Sequence, residues 1–478
     1  MLMLDMSQVK VDLLWSSKIN PTIAIRRQIL PFLLMDGKLH VACADINSPN
    51  ALRAIEQASE YPLTVLAAEP ESLKKAIKKV YGNKISPASV KQDGDETRQL
   101  SASILDAAIL MQASDIHIDP DKNDLSIRFR IDGKLVEHRT LEMSTFSSLM
   151  SRLKVISGMD IAEKRSPQDG YIKYESTLSE TTVEMRAATL PTKYGEKMTL
   201  RLMSMNAHSV TLEKLGFKSD ELSLLERVLD KPHGMILITG PTGSGKSTTL
   251  YSGLIKLKKE KSCNIITIED PVEFDLTGVN QIEIDHQKLT FPSVLKSVLR
   301  HDPDVVMVGE MRDRETAEIA IKASMTGHLV LSTLHTNSAP GAITRLIDMG
   351  VEPFLVAATV ELVVAQRLVR KLCEHCRVER PITAKEAFQL RNSKLEGQSC
   401  FDSKGCIYCG GHGYSGRIGL FELLPVNDIL ARHITDGVTE VDIRTYMKGQ
   451  GYNTLLEDGS NKITEGITSI LEVINACG

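Results

Sequence analysis

The sequence predicts a multidomain α/β chain, and three observations carry that prediction. A length of 478 residues exceeds what one hydrophobic core organises, so several units of ordinary domain size are expected. From about Leu212 onward, short apolar runs alternate with turn residues and helical periodicity, as a parallel sheet wrapped by helices requires. Finally, Gly234 to Thr249 reads G-M-I-L-I-T-G-P-T-G-S-G-K-S-T-T, an apolar strand running straight into a glycine-rich turn and a helix.

That last stretch reads as a phosphate-binding loop. Met235 to Thr239 is the buried strand, Gly240 to Gly245 the turn, and Lys246 to about Lys258 the helix. The pattern G-x-x-x-x-G-K-[ST] is met at Gly240, Gly245, Lys246 and Ser247. Gly240, Gly243 and Gly245 let the backbone N–H groups of the loop close round a phosphate, Pro241, Thr242 and Ser244 complete that loop, and the helix beginning at Lys246, Ser247 and Thr248 adds partial positive charge. Lys246 is expected to reach the β- and γ-phosphates of ATP, and Ser247 to ligate magnesium.

Composition narrows the partners. Lys and Arg number 57 against 61 Asp and Glu, a net charge of −4, so no global basic field recommends nucleic acid. Met1 to Trp15 carries Asp5 and Asp12 and no basic leader, so no secretory signal is expected and the chain is read as cytoplasmic. Phe354 to Val369, interrupted by Glu361, Gln366 and Arg367, falls short of the roughly 20 apolar residues of a spanning helix and is read as a buried or half-buried helix. Membrane association is therefore expected to be indirect.

Along the chain, residues 1–82 read as a small N-terminal domain, with strands at 39–42 and 63–67 and helices at 50–59 and 70–81. Residues 83–98 are polar and aperiodic, a linker. A second domain over 99–206 opens with a helix and continues as strands, among them Thr182 to Ala187 and Lys197 to Met203. By spacing alone, Arg186 and Arg201 on these strands are surface charge. The nucleotide domain, 213–370, has a second strand, Asn264 to Ile268, ending in Glu269, Asp270 and, after Pro271 and Val272, Glu273. Carboxylates past the end of such a strand face the crevice where open sheets bind ligands. A third strand, Asp304 to Val308, precedes Gly309 and Glu310, the place for a carboxylate that orients water or magnesium at the γ-phosphate. The fourth is bracketed by His328 and His335, read together as γ-phosphate sensors.

Cys373-x-x-Cys376 and Cys406-x-x-Cys409 give four thiolates, the donor set of a closed structural zinc site. Cys400 lacks a partner at that spacing, and His375 and His412 are reserve ligands. This zinc subdomain spans 371–425, and helices over 426–478 close the chain.

Taken together these motifs resemble the secretion ATPase superfamily, in its assembly branch of type II secretion and type IV pilus motors. The resemblance rests on G-P-T-G-S-G-K-S-T-T at 240–249, I-T-I-E-D-P-V-E at 266–273 followed by Gln281, L-R-H-D-P-D-V-V-M-V-G-E-M-R-D at 299–313 and T-G-H-L-V-L-S-T-L-H-T-N at 326–337. S-D-I-H-I-D-P at 114–120, P-Q-D-G at 167–170 and T-L-P-T-x-x-G-E-K at 189–197 are similar to phrases of its second domain. The resemblance implies a RecA-like motor domain preceded by a PAS-like α+β domain, with Glu310 as the catalytic glutamate and Glu269, Asp270 and Glu273 near magnesium and the attacking water. It also turns Arg186 and Arg201 from surface charge into arginine fingers. A homo-hexamer is implied, peripheral at the inner membrane and docked on platform proteins there, with ATP, Mg2+ and Zn2+ as its cofactors and filament assembly as its output. Pilus-retraction motors of the superfamily lack the tetracysteine element, which disfavours that role. His301 stands where the family commonly has Gln, a glycine often seen within 285–291 is absent, and no R-L-G-x-x-L phrase supports regulation by cyclic di-GMP. A DNA-handling motor of conjugation or uptake is the alternative, and a nucleotide-gated scaffold without catalysis is disfavoured by the intact Lys246, Glu310 and both histidines.

Overall fold

A computed structural model describes residues 3–478 except 17–18, 47–55, 57–58, 82–94, 177, 179–181, 204–209 and 286–287. Most of the expected helix at 50–59, all but residues 56 and 59, and the linker before residue 95 therefore lie outside the described residues. The chain divides into two compact units. One comprises Met1–Met203 with Cys373–Arg377 and Ser403–Ser415, and the other Ser204–Leu372 with Val378–Asp402 and Gly416–Gly478.

In the first unit a small sheet of order β1-β2-β3 comprises β1 (Ile29–Met35), β2 (Lys38–Cys43) and β3 (Leu63–Ala67). Strand β1 escapes a sequence reading because Pro31 interrupts it. A register shift between Pro31 and Leu33 accommodates the missing N–H, the usual way a proline enters a sheet. After the helix Asp95–Leu110, whose start takes in the last residues of the expected linker, comes a second sheet of order β6-β5-β4-β9-β8-β7. Its strands are β4 (Asp115–Pro120), β5 (Asp124–Ile131), β6 (Lys134–Glu142), β7 (Gln168–Glu175), β8 (Thr182–Thr192) and β9 (Gly195–Leu202), all paired antiparallel. Alternate residues are buried, Leu125, Ile127, Phe129 and Ile131 on β5 for instance, so one face meets the core and the other is left to polar side chains.

The second unit is built on a seven-stranded sheet of order β12-β11-β13-β14-β10-β15-β18. These are β10 (Gly234–Thr239), β11 (Ile265–Glu269), β12 (Asn280–Glu283), β13 (Val305–Val308), β14 (Leu329–Leu334), β15 (Val360–Leu372) and β18 (Tyr414–Pro425, from Gly416 in this unit); β16 (Arg377–Pro381) and β17 (Ser399–Ser403) form a separate ribbon. The first six are mutually parallel. Their apolar runs serve two cores at once: Met235 and Leu237 of β10 enter one cluster, with Val306 and Val330, while Ile236 and Ile238 enter the other, with Val305 and Leu331.

One expectation is corrected here. Residues 354–369 are not one helix: a short helix, Pro353–Thr359, gives way to β15, which pairs in parallel with β10. A continuous apolar run cannot by itself separate a buried helix from a buried strand. The β-branched Val360, Val363, Val364 and Val369 favour the pleated surface.

Candidate active site

Parallel strands deliver their carboxyl ends to one rim of the sheet, and the predicted nucleotide residues gather there. Gly240, Gly243 and Gly245 have φ of 153°, 79° and 89°, left-handed backbone that glycine enters without steric cost. A Cβ on Gly240 would stand 2.5 Å from the Gln366 carbonyl oxygen, so the first glycine also answers a close approach. Ser244 is buried, whereas Pro241, Thr242 and Ser247 face solvent. Lys246 is folded back on the loop, its Nζ donating to the carbonyls of Gly240 (2.9 Å) and Pro241 (3.1 Å). Burial pushes its pKa down, the Glu310 carboxylate opposes this, and Arg367 reinforces it. The lysine is thus held where a phosphate can take it over by charge.

Glu310 lies in the loop after β13. Its Oε1 is 2.6 Å from Arg312 Nη2 and its Oε2 3.5 Å from His335 Nε2. Burial and then Lys246 lower the His335 pKa, so the ring is neutral near pH 7 and accepts or donates at Nε2 according to its tautomer. The backbone N–H of Met311 bonds the Thr333 carbonyl (3.1 Å), and the Thr333 hydroxyl donates to the Gly309 carbonyl (2.6 Å), which fixes this loop against β14.

Two predicted residues are placed differently. Glu269 is the last residue of β11 and is buried. It accepts from the hydroxyl of Tyr251, the hydroxyl of Thr267 (2.6 Å) and Nε2 of Gln281 (3.1 Å). The carboxylate is a tie inside the sheet, not the open one expected beside magnesium. Glu273 does face solvent, and Asp270 is half-buried. His328 precedes β14, where its Nδ1 bonds the Ala323 carbonyl at 2.9 Å. Six strand residues separate it from His335, and at about 3.3 Å per residue the two rings belong to opposite rims. Only His335 joins the site.

Gln366 and Arg367, which belong to no motif, also lie against the phosphate loop. The Thr249 hydroxyl donates to Gln366 Oε1 (2.8 Å), and Arg367 Nη2 donates to Asn337 Oδ1 (3.1 Å). Their signal was weak, since they sit in the stretch taken for a helix.

In the first unit, Arg130, Asp115, Arg201 and Arg186 stand opposite one another across β5, β4, β9 and β8. Asp115 accepts from Arg201 Nε (2.9 Å) and the Ser114 hydroxyl (2.8 Å), with Arg130 Nε at 3.4 Å. Burial alone would raise the Asp115 carboxyl, but these donors outweigh it and hold it below the usual range. The row is a cationic strip with a fixed anion ordering Arg201.

The same unit holds the four cysteines. Their sulfurs all lie within 4.8 Å of one another, with Cys373 to Cys406 at 3.8 Å, Cys376 to Cys409 at 3.9 Å and Cys406 to Cys409 at 3.8 Å. Sulfurs about 2.3 Å from a tetrahedral zinc stand about 3.8 Å apart, so the set fits that ion. Backbone N–H groups of Cys406 (3.2 Å) and Gly413 (3.1 Å) donate to Cys409 Sγ. Burial raises the Cys409 thiol, yet these donors prevail and hold it low, which favours the ligating thiolate. Cys400 is buried in an apolar cluster of the second unit, and the His375 ring stacks on Tyr408 with centroids 4.0 Å apart, so neither is needed.

Residues 90–475 match the type II/IV secretion system protein family, and residues 2–87 match the MshEN domain. The type II secretion system protein E of Klebsiella pneumoniae is 41% identical over 94% of this chain and 97% of its own length. The type IV pilus assembly ATPase PilB of Thermus thermophilus is 42% identical over 85% of this chain and 46% of its own length. Among solved structures, the pilus retraction motor PilT with bound ADP is 26% identical, with a TM-score of 0.55 over 78% of this chain and 96% of that one. The ATPase DotB of Legionella pneumophila, 20% identical with a TM-score of 0.60 over 81% of this chain and 96% of its own, shares the fold. No helix among the described residues is long and apolar enough to cross a membrane. With the phosphate loop, the Glu310 loop and the tetracysteine cluster all falling inside the matched span, this chain belongs to the type II/IV secretion system protein family.

Proposed function

We infer that this chain is a homo-hexameric ATPase that drives assembly of pilin or pseudopilin filaments in a type II secretion or type IV pilus machine, working at the cytoplasmic face of the inner membrane through platform proteins. The observation that carries the reading is the grouping of Lys246, Glu310 and His335 at one rim of the sheet. Backbone N–H groups of 242–248 take the phosphates of ATP, and Lys246 exchanges its two carbonyl acceptors for phosphate oxygens. Glu310 orients the attacking water and receives its proton, while neutral His335 holds the glutamate and bonds the phosphoryl group. Ser247 would hold Mg2+, with Asp270 and Glu273, just past the carboxyl end of β11, as further candidates; the ion would supply neutralisation of the phosphate charge. Arg186 and Arg201 are assigned the charge that builds on the γ-phosphate. Cys373, Cys376, Cys406 and Cys409 would hold zinc, which cross-links two distant parts of the chain.

The test is magnesium-dependent ATP hydrolysis by the purified chain, together with its mass in solution and a pull-down from native membranes with the full chain as bait. Steady turnover, a hexameric mass and recovery of an inner-membrane secretion or pilus platform protein are expected. Absent turnover counts against the enzyme, and recovery of DNA-processing proteins counts against the machine.

A further inference from the structure

We propose that Gln366 is a positioning residue of the phosphate loop, gripping it from β15 through Thr249. Gln366 is 1% exposed, although an amide side chain ordinarily seeks water. It touches the loop at both ends. Its carbonyl oxygen lies 2.5 Å from where a Cβ on Gly240 would be, and its Nε2 lies 2.8 Å from where one on Gly245 would be. The first and last glycines of the loop are therefore pressed against a single residue of the neighbouring strand. The side chain is held in turn by the Thr249 hydroxyl, which donates to Oε1 at 2.8 Å from the first turn of the helix Lys246–Glu260.

The next residue extends the grip. Arg367 Nη1 donates to the Gln366 carbonyl (3.0 Å), and Nη2 donates to Asn337 O (3.2 Å) and Oδ1 (3.1 Å). Asn337 follows Thr336, whose hydroxyl lies 2.7 Å from that of Thr239 at the end of β10. The ends of β10 and β14 are thus laced to the middle of β15 beside the loop. Gln366 sets the height of the loop's N–H groups, and the loop that carries His335 is tied to the same point.

This inference rests on residues 240–248 being the nucleotide site. Because the loop clasps phosphates common to ADP and ATP, the effect falls on affinity for both nucleotides rather than on turnover. Titration of Gln366→Ala with MgADP should show a rise of about tenfold in Kd, with a matching rise in KM for ATP and a smaller change in kcat. Thr249→Val, which leaves β15 intact, should give the same split, and the double variant should lose less than a further twofold. Gln366→Glu keeps the acceptor for Thr249 but sets a carboxylate against Gly245, so it should bind MgADP more weakly than the alanine variant while unfolding no earlier without nucleotide. A purely structural glutamine predicts the opposite order. A folded Gln366→Ala or Thr249→Val protein with a Kd for MgADP within twofold of wild type overturns the proposal. Wild-type protein that binds no MgADP removes the nucleotide site itself, and the proposal with it.

Discussion

Glu269 and Glu310 stand at the carboxyl ends of adjacent parallel strands, the one as the last residue of β11 and the other just past β13, and the sequence marks both as carboxylates at the nucleotide. The structure separates them by their position relative to the ladder. Glu269 is still inside β11, paired in register with Glu283 of β12, so the period-two rule puts its side chain on the buried face with Thr267. Strand β13 stops at Val308, and Glu310 is carried beyond it on a glycine, free to meet His335 and Arg312. Where each strand ends thus divides a carboxylate tied inside the sheet from the one proposed as catalytic.

The largest expected effect breaks the comparison on its catalytic side. Glu310→Gln preserves size and hydrogen bonding but cannot take a proton. ATP turnover should fall by about 10²–10⁴-fold, the range of a lost general base, while MgADP affinity stays near wild type. Turnover within tenfold of wild type would assign the base elsewhere.

Glu269→Ala tests the other side. It strands the hydroxyls of Tyr251 and Thr267 and the Gln281 amide inside the sheet. Chemical denaturation should show a loss of about 1–3 kcal/mol, the cost of leaving a buried polar group unpaired. Turnover per folded molecule should drop far less than in Glu310→Gln. Unchanged stability with abolished turnover would restore Glu269 to the metal shell.

The two histidines repeat the contrast at smaller scale. His335→Ala removes a contact of Glu310 and should lower kcat by tenfold or more, whereas His328→Ala should leave kcat within twofold. Equal losses would mean that both ends of β14 report to the nucleotide.

Much of this was legible beforehand. The phosphate loop is visible because its glycines, lysine and hydroxyls are dictated by backbone geometry and phosphate charge, and the two C-x-x-C pairs because that spacing suits a tetrahedral four-sulfur site. What stayed hidden depended on neighbours distant in sequence. Strand β15 looks helical until β10 is set beside it. The direction of Glu269 depends on where its ladder ends, and Gln366 has meaning only against Gly240 and Gly245. Arg130 joined Arg186 and Arg201 in one row only through the pairing of β5, β4, β9 and β8.

The smallest effect is set by pH and sharpens the role of His335. Burial, aided by Lys246, holds its folded pKa below the ordinary 6.5, with Glu310 opposing. As the pH falls below about 6.5 the unfolded chain takes up this proton before the folded one does, so the imidazole's contribution to stability is present above that point and is lost as acid is added. His335→Asn should flatten that part of the acid limb of stability, while His328→Asn should leave it in place. The kcat profile should be level from pH 7 to 8, where the ring is already neutral. A kcat that falls through that interval in wild type, and not in His335→Asn, would mean that the ring works as a cation and that its neutral form is not the one bonded to Glu310.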